Sequence, residues 1–249
     1  MNILMIILTS AIAVASLGYA LNPTNLTLIL CFVITSLVVS LGLWIDYKIK
    51  RNGNALLRRI AYFFTKKDDD YDFEQVQCVY SCLGNAVYSS KQIVELKSNK
   101  NDLQGFDGRY RWSAPSSMAI VEATEPGQSI KGMHQEDDWM HYTVDFGKVC
   151  KKGKTIRSGS AIKNLQDDAN QACPFLSYTI QRKTKQLIMC VEFPNGSEAN
   201  GDVVFKVTAY GKQIGDNQTL RYNTKVGGYT KTVEYPRKGW RYVISWEKN

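Results

Sequence analysis

Two uncharged stretches near the N-terminus constrain the fold more strongly than any other feature of the 249-residue chain. No charged residue occurs from Ile3 to Leu21 or from Leu26 to Ile45. A hydrocarbon core of about 30 Å is crossed by about 20 helical residues, whose backbone groups must hydrogen-bond within the segment. The pattern therefore predicts two transmembrane helices in an antiparallel hairpin, because only the turn-forming residues Asn22–Asn25 separate them.

A cleaved signal peptide is the alternative interpretation of the first stretch. Signal peptides begin with positive charge and end at small residues, whereas this chain opens on MNILMIIL and a second stretch follows. The loop between the stretches is uncharged, and positive charges follow the second one: Lys48, Lys50, Arg51, Arg58 and Arg59. The positive-inside rule then predicts a two-pass membrane protein with both termini in the cytoplasm.

That location sets the expected state of the cysteines. Five of them lie beyond the apolar stretches: Cys78, Cys82, Cys150, Cys173 and Cys190. A reducing compartment favours free thiols. Cys78 and Cys82 are close enough to form half of a metal site, but no second pair accompanies them, so buried structural thiols are the preferred interpretation.

The chain divides by composition into a transmembrane hairpin (1–47), a basic helix with an acidic linker (48–72) and a β-rich region (73–249). Apolar residues at helical spacing predict a helix over Asn54–Phe64, which either lies on anionic lipid or continues the second span. The run KKDDD over Lys66–Asp70 is typical of a solvated linker. Residues Phe73–Leu96 fit either a helix, which we prefer, or two short strands.

Beyond Asn99, Tyr-rich and β-branched runs alternate with turn residues. This pattern predicts an all-β domain, either an antiparallel β-barrel or an immunoglobulin-like β-sandwich, and no long helical pattern interrupts it to form a parallel βαβ sheet. Hairpin turns are expected near Lys183–Lys185, at Gly211–Asn217 and at Val226–Gly228.

Both histidines lie in one acidic run, HQEDDWMH over His134–His141. Its spacing matches no zinc signature, and we interpret it as an exposed loop rather than a metal site. The sequence also has no GxSxG elbow and no glycine-rich phosphate loop. We therefore expect no catalytic residues, no metal and no cofactor, with a hydrolase that uses the His134–His141 loop as a lower-ranked alternative.

Basic residues with aromatic neighbours suggest an anionic ligand. Guanidinium groups bind phosphate and aromatic faces stack on nucleobases. The candidate ligand-binding residues are Arg109, Trp112, Tyr178, Arg182, Lys185 and Arg241. The same pattern is also how a half-exposed sheet places aromatics in the core and cations in solvent, and a basic surface suits an anionic leaflet.

The arrangement of two N-terminal spans, a short linker and a cytoplasmic β-domain resembles the two-transmembrane β-barrel effectors of bacterial CBASS anti-phage systems, the STING-like membrane effectors. Gly108–Trp112 (GRYRW) is similar to the Gly-x-aromatic opening of small barrels. The resemblance implies a non-enzymatic antiviral effector in the bacterial inner membrane. Such an effector binds a cyclic dinucleotide, forms homo-oligomers and disrupts that membrane, which contains anionic lipids, without binding a nucleic-acid polymer. The alternative is a membrane-tethered adaptor whose β-domain binds a protein partner.

Overall fold

The computed structural model describes residues 30, 34–44, 55–68, 70–84, 87–111, 119–166, 175–193, 197–199 and 201–247. The chain divides into two compact units, Met1–Ala61 and Tyr62–Asn249. Residues 34–44 are helical, and a second helix, α1, covers Ala55–Phe64 as the apolar spacing predicted.

The second unit is built from strands. In chain order they are β1 (Tyr71–Gly84), β2 (Val87–Ser98), β3 (Leu103–Tyr110), β4 (Ile120–Ala123), β5 (Ser129–Glu136), β6 (Trp139–Cys150), β7 (Thr155–Gln166), β8 (Phe175–Thr179), β9 (Thr184–Glu192), β10 (Val203–Ala209), β11 (Lys212–Gln213), β12 (Gln218–Leu220), β13 (Tyr222–Asn223), β14 (Gly228–Glu234) and β15 (Arg241–Ser245).

Three open sheets contain these strands. A seven-stranded sheet has the order β13-β14-β9-β1-β2-β7-β4, a five-stranded sheet has the order β11-β10-β15-β8 with β12 also on β10, and a three-stranded sheet has the order β3-β6-β5. Each order runs from one edge strand to another among the described residues, so the predicted barrel, which would join its first and last strands, is wrong.

The core lies on one face of the seven-stranded sheet. Val76, Val94 and Leu187 are neighbours across β1, β2 and β9 and are fully buried. Both smaller sheets contact this face. The Tyr142 hydroxyl of β6 lies 2.7 Å from the Ser160 Oγ of β7, and the Tyr80 ring of β1 packs on Trp246 with a centroid distance of 5.5 Å.

The central pairing of the large sheet is parallel. β1 runs parallel to β9, with Val76 opposite Leu187, whereas β2 pairs with the other edge of β1 in the antiparallel direction. The fold is therefore not purely antiparallel as predicted. Alternation of apolar residues indicates that a segment is a strand, but it specifies neither the neighbour nor the direction of pairing.

The helix preferred for Phe73–Leu96 is wrong, because β1 and β2 form one long antiparallel hairpin there, with Val76 opposite Val94. Both residues are fully buried and face the core. Burial alternates regularly from Val76 to Cys82, but the apolar residues Val79 and Leu83 lie on the opposite face of β1 and give the segment a helical spacing.

The predicted membrane hairpin and two-pass inner-membrane location are corrected by the described helices. Among the described residues, which include the helical run 34–44, no helix is both long and apolar enough to cross a membrane. Residues 3–21, and residues 26–29, 31–33 and 45 of the second predicted span, lie outside the described part of the chain. Absence of charge indicates a tendency to avoid water, but it does not set the length of a continuous helix.

Two residues of the acidic run after α1, Asp68 and Asp70, contact the β-rich unit, which a free linker would not do. Asp68 accepts hydrogen bonds from Lys238 Nζ (2.7 Å) and from the backbone N–H of Lys183 (2.8 Å), and Asp70 pairs with Lys100 at 3.0 Å. Burial raises the pKa of the Asp68 carboxyl, but the hydrogen bonds from Lys238 and Lys183 outweigh it and lower that pKa below its usual value.

Two of the three predicted hairpin turns are confirmed. β10 and β11 join through Tyr210 and Gly211, and β13 and β14 join through a turn in which Gly227 has a φ of +66°. The turn predicted near Lys183–Lys185 is wrong, because β8 and β9 belong to different sheets.

Four of the five cysteines beyond the apolar stretches are among the described residues. Cys78, Cys150 and Cys190 are free and buried, as expected, Cys82 is also buried, and Cys173 lies outside the described residues. Burial raises the pKa of the Cys78 thiol to about 12, so it stays neutral at physiological pH.

Candidate functional site: an outer groove on the five-stranded sheet

The predicted ligand residues lie on separate surfaces. Tyr178 of β8 is opposite Tyr242 of β15, and both rings point to the core. Arg241 precedes Tyr242 on β15 and therefore points to the other face of the sheet. The Tyr178 hydroxyl accepts a hydrogen bond from Gln92 Nε2 at 3.3 Å, and burial raises its pKa. Tyr178 therefore joins two sheets and does not face the same ligand as Arg241.

Arg109 contacts Gln181, the residue that directly precedes Arg182 in the chain. With its amide oxygen turned toward Arg109, Gln181 accepts hydrogen bonds from the Arg109 guanidinium, including one from Nε at 3.2 Å. The Arg109 guanidinium lies 4.5 Å from the centroid of Trp139. Arg182 lies over the Tyr71 ring at 4.2 Å and is 3.9 Å from an Asp70 carboxylate oxygen.

The two remaining predicted residues do not join this pair. Lys185 is exposed on β9 and forms a 3.3 Å ion pair with Glu74 of β1. Trp112 lies outside the described residues.

A concave surface that the sequence did not reveal lies on the outer face of the five-stranded sheet. We call it the outer groove, and its volume is about 620 Å³. Its lining residues come from β8, β10, β15 and the segments beside them: Phe175, Asp202, Val204, Lys206, Thr208, Arg241, Val243, Ser245, Trp246 and Glu247.

Alternation along two paired strands places these side chains on one face. Val204 is opposite Ser245, Lys206 opposite Val243 and Thr208 opposite Arg241. The residues between them, including Phe205 and Ile244, point to the core and are buried. The outer groove is thus the solvent side of a sheet whose other side is core.

The groove has opposite charges at its two ends. Lys206 and Arg241 lie toward one end of the strands, and Asp202 and Glu247 lie toward the other. None of the four forms an ion pair with another residue in the described part of the chain. Four unneutralised charges around an apolar floor favour a ligand that brings charges of its own.

Arg241 is held in place at its end. Its Nη2 donates to Ser177 Oγ at 3.1 Å, and its guanidinium lies 5.4 Å from the centroid of the Phe175 ring. Of the predicted ligand residues, Arg241 is the one that lines this groove. The sequence contained a signal for Asp202 and Lys206. In DVVFKVT, Asp202 stands two residues before Val204 and Lys206 two residues after it, so a strand places all three on one face.

The two histidines lie in a hairpin rather than the expected loop. His134 of β5 is opposite His141 of β6, and their rings stack at a centroid distance of 5.4 Å. His134 Nδ1 lies 2.9 Å from the Gly132 carbonyl oxygen, and His141 Nε2 lies 3.7 Å from Glu136. Over the described residues, no group of three or more His, Cys, Asp or Glu side chains is arranged to hold a metal ion.

Comparisons with known proteins show no family. No family model matches the chain, and no curated protein does. A candidate protease from Parabacteroides distasonis ATCC 8503 is similar over 72% of this chain and 40% of its own, with 7% identity and a TM-score of 0.44. An M1 zinc metallopeptidase from Deinococcus radiodurans is similar over 72% of this chain and 43% of its own, with 11% identity and a TM-score of 0.35.

This chain therefore spans about two fifths of the length of these two structures. The identities and TM-scores are too low to support an inference about shared fold or shared chemistry.

Proposed function

We propose that the β-rich unit is a non-catalytic binding module that holds a segment of another protein in the outer groove. The observation that carries the proposal is the groove's combination of an apolar floor with charges that have no ion-pair partner among the described residues. Burial of such charges against a partner is favourable only when the partner supplies the opposite charge. This supports the protein-binding part of the adaptor interpretation.

Site-directed photo-crosslinking tests this function in the full-length chain. A benzophenone amino acid at Thr208 lies in the groove, and the same group at Gln104 of β3 lies on an exposed position of another sheet. We expect a discrete protein adduct from Thr208 and none from Gln104. Substitution Val204→Trp fills the groove floor and should remove the adduct.

The function would be contradicted if Thr208 and Gln104 gave the same adducts, or if Val204→Trp left the Thr208 adduct unchanged. Val204 faces solvent on a strand, so a larger aromatic residue there is compatible with the sheet. Circular dichroism of the variant provides the check on its fold.

A cyclic nucleotide, the ligand implied by the CBASS resemblance, is the second candidate. The observation that favours it is the contact between Arg109 and Gln181, which places Arg109 next to the segment that carries Arg182. We propose the surface around this contact, rather than the full set of six predicted residues, as the place for such a ligand.

A thermal-shift titration with cyclic dinucleotides separates the two candidates. Ligand at about 100 times its Kd adds about 2.7 kcal/mol of stability. Under this hypothesis Arg182→Gln removes the shift, while Arg241→Gln, in the outer groove, leaves it. If no cyclic dinucleotide shifts the melting temperature of the full chain, the second candidate is refuted.

A further inference from the structure

We propose that the outer groove recognises an extended segment of the form charge–x–apolar–x–opposite charge, an inference that rests on the proposed binding function. The spacing follows from β10. Asp202, Val204 and Lys206 line the groove at two-residue steps, and a strand rises by about 3.4 Å per residue. Asp202 and Lys206 are therefore about 14 Å apart along the strand, which an extended segment covers in four residues.

The basic end of the groove has two cations, Lys206 and Arg241, that can bind a carboxylate. Arg241 is fixed by its hydrogen bond to Ser177 and its contact with Phe175, and most of its N–H donors remain available. Lys206 is half-buried beside Val243, which is two register positions from Arg241 and on the same face of the sheet. Two cations around a concave surface favour an acidic side chain of the ligand.

The acidic end of the groove has two carboxylates, Asp202 and Glu247, that can bind an ammonium or guanidinium group. Glu247 lies against Gly201, where an added Cβ would be 2.6 Å from Glu247 Oε2. Asp202, the residue after Gly201, contributes the second carboxylate to the groove lining. Because neither carboxylate has an ion-pair partner among the described residues, a basic side chain of the ligand would provide the first one.

The middle of the groove is apolar and firmly supported. Val204 and Val243 form its floor, and Trp246 is buried against Tyr80 and Phe193, with centroid distances of 5.5 and 5.8 Å. Side chains of an extended segment alternate between faces, so positions one, three and five face the groove together. The third residue of the ligand segment therefore contacts Val204 and Val243, and we expect it to be apolar.

A protein segment fits this surface better than a second copy of the chain. Two copies placed face to face would oppose two concave surfaces and leave the space between them unfilled, and close packing is what stabilises an interface core. A single extended segment instead enters the groove, with its two charged side chains at the two charged ends.

Binding of defined peptides to the full-length chain tests the inference. The probe is a fluorescent, end-capped peptide, Thr-Thr-Glu-Thr-Leu-Thr-Lys-Thr-Thr, measured by anisotropy. Comparison peptides carry Lys and Glu in the reverse order, Glu at both positions, Lys at both positions, or Thr in place of Leu. We expect the opposite-charge peptides to bind at least tenfold more tightly than either same-charge peptide and than the peptide without Leu.

Charge reversal in the groove provides a specificity test. When Lys206→Glu and Arg241→Glu are combined, the protein should bind the peptide with two Lys residues more tightly than the other peptides. The matched control reverses Lys212 and Lys225, which are exposed outside the groove and produce the same change in net charge. This control should keep the wild-type preference, and circular dichroism reports whether each variant is folded.

The outcomes separate this inference from the function on which it rests. Equal binding of all peptides, or no change on reversal of Lys206 and Arg241, overturns the motif, and a Thr208 crosslink to a protein would then still support the binding function. Concentration-dependent dimers that disappear with the groove reversal would identify a second copy as the occupant and also overturn the motif. Absence of both peptide binding and crosslinks overturns both proposals.

Discussion

Individual residues in this chain take their roles from the face of the strand on which they lie. Tyr178 and Arg241 are close in the five-stranded sheet, yet one supports the core and the other lines the outer groove. Asp68 shows the same dependence on position. Asp68, a residue of an apparently free acidic run, connects the segment after α1 to the starts of β9 and β15 through Lys183 and Lys238.

Substitution Asp68→Asn should lower the free energy of unfolding at pH 7 by about 1.5–3 kcal/mol, because hydrogen bonds to a charged group are lost or weakened. The native pKa of Asp68 is lowered, so its contribution is present above the ordinary aspartate pKa of about 3.9 and is lost as the pH falls through the native pKa. Urea unfolding between pH 7 and pH 2.5 measures the difference between wild type and variant, which should shrink toward low pH. Asp216→Asn, at an exposed carboxylate, is the control and should change stability by less than about 0.5 kcal/mol.

Gly108 is required by its cross-strand neighbour. The Tyr142 ring of β6 covers it, and a Cβ at Gly108 would lie 2.5 Å from two ring carbons. We expect Gly108→Ala to destabilise the protein by about 1–3 kcal/mol through overpacking. In a Tyr142→Leu background the same substitution should cost clearly less, as measured by chemical denaturation. An equal cost in both backgrounds would show that the Tyr142 ring is not the reason for glycine.

Strands and sheets in this unit are connected by a few polar contacts across an apolar core. The Tyr142–Ser160 hydrogen bond joins the three-stranded sheet to β7, and the Gln92–Tyr178 bond joins the five-stranded sheet to β2. Buried polar groups are costly when unpaired, so these contacts fix which faces of the sheets meet.

A double-mutant cycle measures the Tyr142–Ser160 contact. Tyr142→Phe leaves the buried Ser160 hydroxyl without this partner and should cost about 1–3 kcal/mol. Tyr142→Phe combined with Ser160→Ala should cost less than the sum of the two single substitutions, because the second removes the group that the first left unpaired. Additive values in thermal or urea unfolding would mean that the bond does not couple the two sheets.

The β-rich unit as a whole begins before its first strand. Lys183 is buried, and its ammonium donates to the Thr65 carbonyl at 2.9 Å and lies 4.5 Å from the Tyr62 ring. Together with Asp68, these contacts tie the segment from Tyr62 to Asp68 to the start of β9. The unit that starts at Tyr62 is consistent with these contacts.

A chain of residues 62–249 should therefore be more stable than one of residues 71–249. The shorter chain leaves the buried ammonium of Lys183 without its carbonyl acceptor and the Lys183 N–H without Asp68. We expect a loss of several kcal/mol, since each unpaired buried group costs about 1–3 kcal/mol. In the shorter chain, Lys183→Met should recover part of the loss, because it removes the unpaired charge. Equal denaturation midpoints for the two chains would contradict this boundary.

Local features of the sequence predicted much of the secondary structure but little of the site. The helix at Asn54–Phe64, the turns at Gly211 and Gly227 and the free thiols depend on nearby residues or on composition, and the structure confirms them. The helix preferred for Phe73–Leu96 was wrong, because Val79 and Leu83 on the outer face of β1 gave the apolar residues a helical spacing. Of the six proposed ligand residues, Arg241 lies in the outer groove, where sequence reasoning missed Lys206, Asp202 and Glu247.

The sequence by itself determined that the chain beyond residue 99 is rich in strands, because alternating side chains and turn residues act over a few positions. Only the tertiary structure decided that β1 pairs with β9 in parallel, that the sheets remain open, and that Lys206 and Arg241 lie opposite Asp202 and Glu247 across one groove. These features depend on which strands become neighbours. That choice is made by burial of whole sheet faces between segments far apart in the chain, and no local pattern encodes it.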